Sequence, residues 1–111
     1  MLPKLQRLNL KKDFKRVAAG KSLETKYLKL FFKLGDNEIP KVGIAPSSKV
    51  FKKATDRNRA RRLVSAAFES LYKNLPNNIN IMALPKAGIT GVKSSDVLLD
   101  LEKVLKKAQI I

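Results

Sequence analysis

The chain has 111 residues, with 24 Lys and Arg against nine Asp and Glu, a net charge of +15, and neither histidine nor cysteine. That length fits one domain over 1–111 with a modest core, and the missing residue types exclude disulfides, thiolate metal sites and histidine-based acid–base chemistry. The charge imbalance repels itself in a compact state and calls for a polyanionic partner. A membrane fits poorly, because there is no lipidation motif and no apolar run near the ~20 residues of a span. Nucleic acid is the partner expected of such a domain, and 44% hydrophobic content is too high for a disordered basic tail. Residues 1–7 hold no apolar signal segment, so a cytoplasmic protein is expected.

In chain order, 11–19 reads as a short helix with Phe14, Val17 and Ala18 on one side and Gly20 as its stop. Residues 26–34 alternate as a strand, with Leu28, Leu30, Phe32 and Leu34 facing one way and Tyr27, Lys29, Phe31 and Lys33 the other. Gly35, Asp36 and Asn37 make a turn and 39–45 a second strand, which predicts a hairpin between the two. The longest helix covers 56–75, with Asp56 as its cap. At 100° per residue Ala60, Leu63, Val64, Ala67, Phe68, Leu71 and Leu75 fall on one arc. A third strand runs over 79–84 and a Pro- and Gly-bearing loop over 85–92. Ser94 or Ser95 then caps a last helix that turns Val97, Leu98, Leu101, Val104, Leu105 and Ala108 inward. The order α-β-β-α-β-α predicts helices packed on a small sheet, an α+β domain.

The densest cationic stretch is 52–62, preceded by Lys49. On the helical wheel Asn58, Arg61, Arg62 and Ser65 form a stripe beside the apolar arc. Arg57 leads into it and Arg59 lies well away from it. Guanidiniums on a rigid helix match the planar, bidentate geometry that phosphates accept. A merely solvated helix face is the plain alternative, but Arg57, Arg61 and Arg62 have no acidic neighbour four residues away. On the first strand Tyr27, Lys29, Phe31 and Lys33 interleave rings with cations, a pattern that fits either base stacking or core packing beneath the first helix. On the second, small residues at Gly43 and Ala45 beside Lys41 leave room for a nucleic-acid strand, or mark a bulge. The carboxylates form no pair spaced for two-metal or acid–base work, and no phosphate-cradling loop or nucleophile–base arrangement is present. Catalysis by the protein alone is not expected.

Lys53-Ala54-Thr55-Asp56-Arg57-Asn58-Arg59-Ala60-Arg61-Arg62 resembles the RNR signature of the bacterial ribonuclease P protein family, K-A-x-x-R-N-x-x-[KR]-R. Arg7-Leu8, Asp13-Phe14 and Gly20-Lys21-Ser22 resemble that family's opening pattern. So do Val42-Gly43-Ile44 before the signature and Ile81-Met82-Ala83-Leu84-Pro85 after it. The resemblance implies a two-layer α/β sandwich of a small sheet and three helices with a left-handed βαβ crossover, against the usual preference. It also implies a subunit that helps a catalytic RNA remove the 5′ leader of precursor tRNA, with magnesium bound mainly by the RNA. The resemblance carries an RNA-binding role onto Lys53, Arg57, Asn58, Arg61 and Arg62, and Lys49, Lys52 and Arg59 join them as candidates in the same cationic stretch. The implied leader cleft holds Phe14, Tyr27, Lys29, Phe31 and Lys33, with Phe14 and Phe31 at family aromatic positions. Ser65-Ala66 replaces a usual Arg-Glu pair, Ala18 a second aromatic, and Val50-Phe51-Lys52 a glycine-bearing loop. A ribosomal or other structural RNA-binding protein would share this size and charge but not the ordered motifs. A DNA-binding helix-turn-helix lacks the required helix just before 56–75, so DNA is not an expected partner.

Overall fold

Residues 79–85, Ile-Asn-Ile-Met-Ala-Leu-Pro, form the strand around which the sheet is organised. The sequence is nearly continuous in apolar residues, so both faces demand cover, and such a strand belongs inside a sheet. The computed structural model describes residues 2–111. Its elements are α1 (Leu10–Ala18), β1 (Lys21–Glu24), β2 (Leu28–Leu34), β3 (Lys41–Ile44), α2 (Ala54–Leu71), β4 (Ile79–Pro85) and α3 (Ser94–Lys107), with 3-10 turns at Lys4–Gln6, Tyr72–Asn74 and Ala87–Gly91. The α+β class holds. The sheet order is β1-β2-β4-β3, with β1–β2 and β2–β4 antiparallel and β3–β4 parallel.

The expected hairpin between 26–34 and 39–45 does not form. β2 instead turns back on β1, with Leu23 opposite Leu30, and β3 reaches the far side of β4. Amides explain the detour. Asn37 donates to the carbonyls of Ile39 (2.7 Å) and Ile79 (3.2 Å), Asn80 donates to Asn37 Oδ1 (3.0 Å), and the Gly35 N–H donates to the Asn78 carbonyl (2.9 Å). The 35–40 connection is thereby lashed across the end of β4 and delivers the chain to its other edge. β1 escapes the sequence reading because Lys-Ser-Leu-Glu offers one apolar side chain, as an edge strand may do without harm.

The two sheet faces are covered by different helices. Leu28, Leu30, Val42, Ile79, Ile81 and Ala83 join α2 and α3 in the main core, through Val64, Phe68, Leu71, Val97, Leu101 and Leu105. On the opposite face Met82 and the half-buried Phe31 pack with Leu8 and with Val17, Leu10 and Ala18 of α1. Gly43 lies on that second face, and a Cβ there would meet Leu10 Cδ2 at 2.7 Å and Leu8 Cβ at 3.1 Å. The space where a Gly43 side chain would stand is therefore taken by Leu8 and Leu10.

Helix ends differ from expectation by small shifts with clear causes. Asn9 caps α1 by accepting from the Lys12 N–H at 3.3 Å. Lys53, not Asp56, occupies the cap position of α2, and Asp56 falls in the first turn. Lys93 precedes α3, where the Asp96 carboxylate reaches back to the Lys93 N–H at 3.1 Å, so neither Ser94 nor Ser95 is the cap. The Tyr72 hydroxyl donates to the Pro40 carbonyl at 2.5 Å, and burial raises its pKa above the usual phenol value. Among the described residues no helix is long and apolar enough to cross a membrane.

Asp100 of α3 joins the helical layer to the β1–β2 turn: its carboxylate accepts from the Lys26 N–H (3.1 Å) and the Tyr27 N–H (3.0 Å). Asp100→Ala strips both donors of that partner, and a loss of about 1–3 kcal/mol of stability is expected. Urea denaturation measures it. A change within about 0.3 kcal/mol would show that water replaces the carboxylate without cost.

Candidate nucleic-acid interface

The first turns of α2 carry the cationic stretch, held in place by the arc of Ala60, Val64, Ala67 and Phe68 buried beneath it. Arg57 faces inward on its own loop: its guanidinium donates to the carbonyls of Phe51 (2.8 Å) and Lys52 (3.3 Å). It braces the loop that carries Lys49, Lys52 and Lys53, all three exposed. One Arg61 Nη donates to Asn58 Oδ1 at 2.9 Å, which fixes the guanidinium along the stripe. Arg62 is exposed, with no carboxylate partner among the described residues. Arg59 departs from the expected set. Its Nε donates to the Thr90 carbonyl at 2.8 Å and ties α2 to the 3-10 turn after β4, away from the stripe.

The described ion pairs all lie elsewhere. Asp13 holds Arg16 (3.1 Å), Glu24 holds Lys86 (3.3 Å) and Glu102 holds Lys106 (3.3 Å). Lys49, Lys52, Lys53, Arg61 and Arg62 thus present charge that no described carboxylate neutralises, as a surface built for an external polyanion should.

The second surface is the sheet face beyond α1. In register, Lys29 lies opposite Leu84, Phe31 opposite Met82 and Lys33 opposite Asn80. Phe31 is half-buried under Val17 and Ala18, and the Lys29 ammonium sits 5.4 Å from its ring centroid, within cation–π range. Phe14 lies on the same helical stripe as Leu10, Val17 and Ala18 but remains 42% exposed. Ring packing and ring exposure therefore coexist on this face, which the sequence posed as alternatives. Tyr27 leaves the set. It precedes β2, packs against the α2/α3 core, and donates its N–H to Asp100, because the β1–β2 turn breaks the strand alternation there.

Sequence reasoning missed a cationic flank: Lys11, Lys12 and Lys15 are exposed on the outer side of α1, beside Phe14. Their spacing within one helix was the available signal.

Several known proteins are similar to this chain. The Ribonuclease P family model matches residues 2–109. The ribonuclease P protein component of Nitrosococcus oceani is 35% identical over 101 residues, covering 90% of this chain and 84% of that protein. Its counterpart from Pseudanabaena sp. is 31% identical over 113 residues, covering 100% and 97%. A solved structure of the RNase P protein from Thermotoga maritima superposes with a TM-score of 0.79 at 28% identity, covering 91% of this chain and 96% of that one. The same protein in complex with 1-(4-fluorophenyl)-2-thiourea gives 0.78, covering 90% and 97%. An RNase P protein mutant from Staphylococcus aureus, 21% identical over 97% of this chain and 92% of that one, shares the fold with a TM-score of 0.83.

Proposed function

The chain belongs to the ribonuclease P protein family, and from that premise we propose that its α2 stripe docks the catalytic RNA while the Phe31 face holds the 5′ leader of precursor tRNA. It is the accessory protein component of ribonuclease P, whose holoenzyme processes tRNA 5′ ends. The observation that carries the proposal is the separation of two open cationic surfaces. One is a guanidinium stripe suited to structured phosphates, and the other is a ring flanked by Lys29 and Lys33, suited to a flexible strand. The assembly belongs to the cytoplasm in this reading.

Magnesium enters with the RNA. The chain has no His or Cys, and the described residues gather no group of three acidic side chains that would cage a metal ion. Asp13, Glu24, Asp96, Asp100 and Glu102 are engaged by cations or backbone N–H groups. This donor set does not fit a magnesium cage, and no step is assigned to the ion on the protein.

Phe31→Ala tests the leader face. Binding of precursor tRNA to the holoenzyme is expected to weaken by about 1–2 kcal/mol, near the value of stacking one base, with mature tRNA almost unaffected. Lys29→Ala, which leaves the ring packed, should shift binding the same way by a smaller amount. Equal losses for precursor and mature tRNA would refute the leader assignment.

A further inference from the structure

The N-terminal segment runs beside β3, the outer strand of the sheet, and its Leu8 N–H donates to the Val42 carbonyl at 3.0 Å. Between this segment, β3 and the middle of α2 lies a slot of about 200 Å³. Its walls are aliphatic, from Leu2, Leu8, Leu10, Val42 and Ile44, with the Gly43 backbone between them. Three polar side chains open into it: Arg7, Arg61 and Ser65.

Each polar group is held with capacity to spare. Arg7 Nε donates to the Leu2 carbonyl at 2.7 Å, which fixes the plane of the guanidinium and leaves both Nη groups unused. Arg61 gives one Nη to Asn58 and keeps its other donors. Ser65 is only 3% exposed, yet its hydroxyl makes no hydrogen bond to a described residue although it lines the slot. The little of Ser65 that meets solvent leaves its hydroxyl free to bond a ligand atom seated in the slot.

We propose that this slot takes one unpaired nucleotide of the bound RNA. The base lies between the aliphatic walls with an edge on the Ser65 hydroxyl, and its phosphate lies on Arg7 and Arg61. This deepens the RNA-binding reading and rests on it. A bare anion would have no use for the aliphatic walls, and an apolar side chain would leave two guanidiniums desolvated beside it. A nucleotide satisfies both halves, since its base is planar and apolar on its faces and its phosphate accepts bidentate donors. The volume agrees. It lies below the roughly 300–1,000 Å³ of sites for drug-sized ligands and leaves room for a single base. Arg61 belongs to both the slot and the α2 stripe, so an RNA docked on the stripe passes the slot's mouth.

The test titrates the full chain, with its methyl groups isotopically labelled for NMR, with AMP, CMP, GMP and UMP in turn and with ribose 5-phosphate. At least one nucleotide is expected to shift the methyls of Leu8, Leu10, Val42 and Ile44 saturably, about fivefold or more tighter than ribose 5-phosphate. Ser65→Leu, which fills the slot, should abolish these shifts. Ser65→Ala keeps the slot open and should retain binding while changing the preference among the four bases. Ribose 5-phosphate binding as tightly as every nucleotide would reduce the site to an anion site and overturn the proposal. So would silence of these methyls with all four nucleotides in a sample that still binds ribonuclease P RNA, leaving the proposed function intact. Silence together with loss of RNA binding would bring down both. The comparison with ribose 5-phosphate uses the unaltered chain, so it decides the matter even if Ser65→Leu fails to fold.

Discussion

Replacing Arg61 and Arg62 together with alanine is expected to weaken assembly with the catalytic RNA by about 2–4 kcal/mol, taking each charge-assisted contact at about 1–2 kcal/mol. In dissociation constants that is about 30- to 1,000-fold. The fold should tolerate the change, because α2 is held by Ala60, Val64, Ala67, Phe68 and Leu71 on its other side. Neither arginine holds a described carboxylate, and Asn58 loses only a surface partner. Filter binding at fixed salt measures the loss, and circular dichroism and melting temperature serve as controls. A double variant that unfolds would make the stripe a structural element; one that folds and binds RNA unchanged would remove it from the interface. Arg57→Ala is a poorer probe, since its guanidinium braces the Phe51 and Lys52 carbonyls and its loss would move Lys52 and Lys53 as well.

Phe68→Ala should cost about 3–5 kcal/mol of stability, the range for truncating a fully buried aromatic ring. Phe68 is completely inaccessible and sits among the side chains that join α2 to the sheet and to α3. For a chain of this length that loss corresponds to a fall in melting temperature of roughly 12–20 °C. Calorimetry checks it directly. A fall under about 5 °C would mean that the layer repacks around the missing ring. Phe68 is inaccessible and carries no charge, so RNA affinity measured well below the melting point should be retained. The pair of variants thus separates the helix's two faces, one answering to RNA and the other to heat.

The helices were legible because their period is long and repeated. The arc of α2 from Ala60 to Leu71 is buried as the wheel predicts, with Leu63 at its half-exposed margin. In α3, Val97, Leu101 and Leu105 are buried, and only the terminal Ala108 falls outside. Strand partners were not legible. Alternation tells which side chains share a face but not which strand lies alongside, and the deciding contacts here are the amides of Asn37 and Asn80, distant in sequence. At the site, the signature placed Arg61 and Arg62 because a helix periodicity carries them. The wheel set Arg59 apart from that stripe, but it could not show that its Nε meets the backbone carbonyl of Thr90 thirty-one positions later. Tyr27 went astray because the alternation was extended past the start of the strand that obeys it, and Tyr27 lies one residue before Leu28. The slot beside Ser65 had no sequence signal, because it depends on three segments meeting.

The central strand is the last of the four to be synthesised. While the chain emerges, β1 and β2 can pair locally, but one edge of β2 and the whole of β3 must wait for 79–85. Until then two strand edges stand open to wrong partners, including those of neighbouring chains. Closure joins segments far apart in sequence on both sides of β4, the kind of step that slows folding through lost chain freedom more than through any missing contact. The fold that is to meet the RNA is therefore closed by β4, a strand that carries none of the residues proposed to hold that RNA.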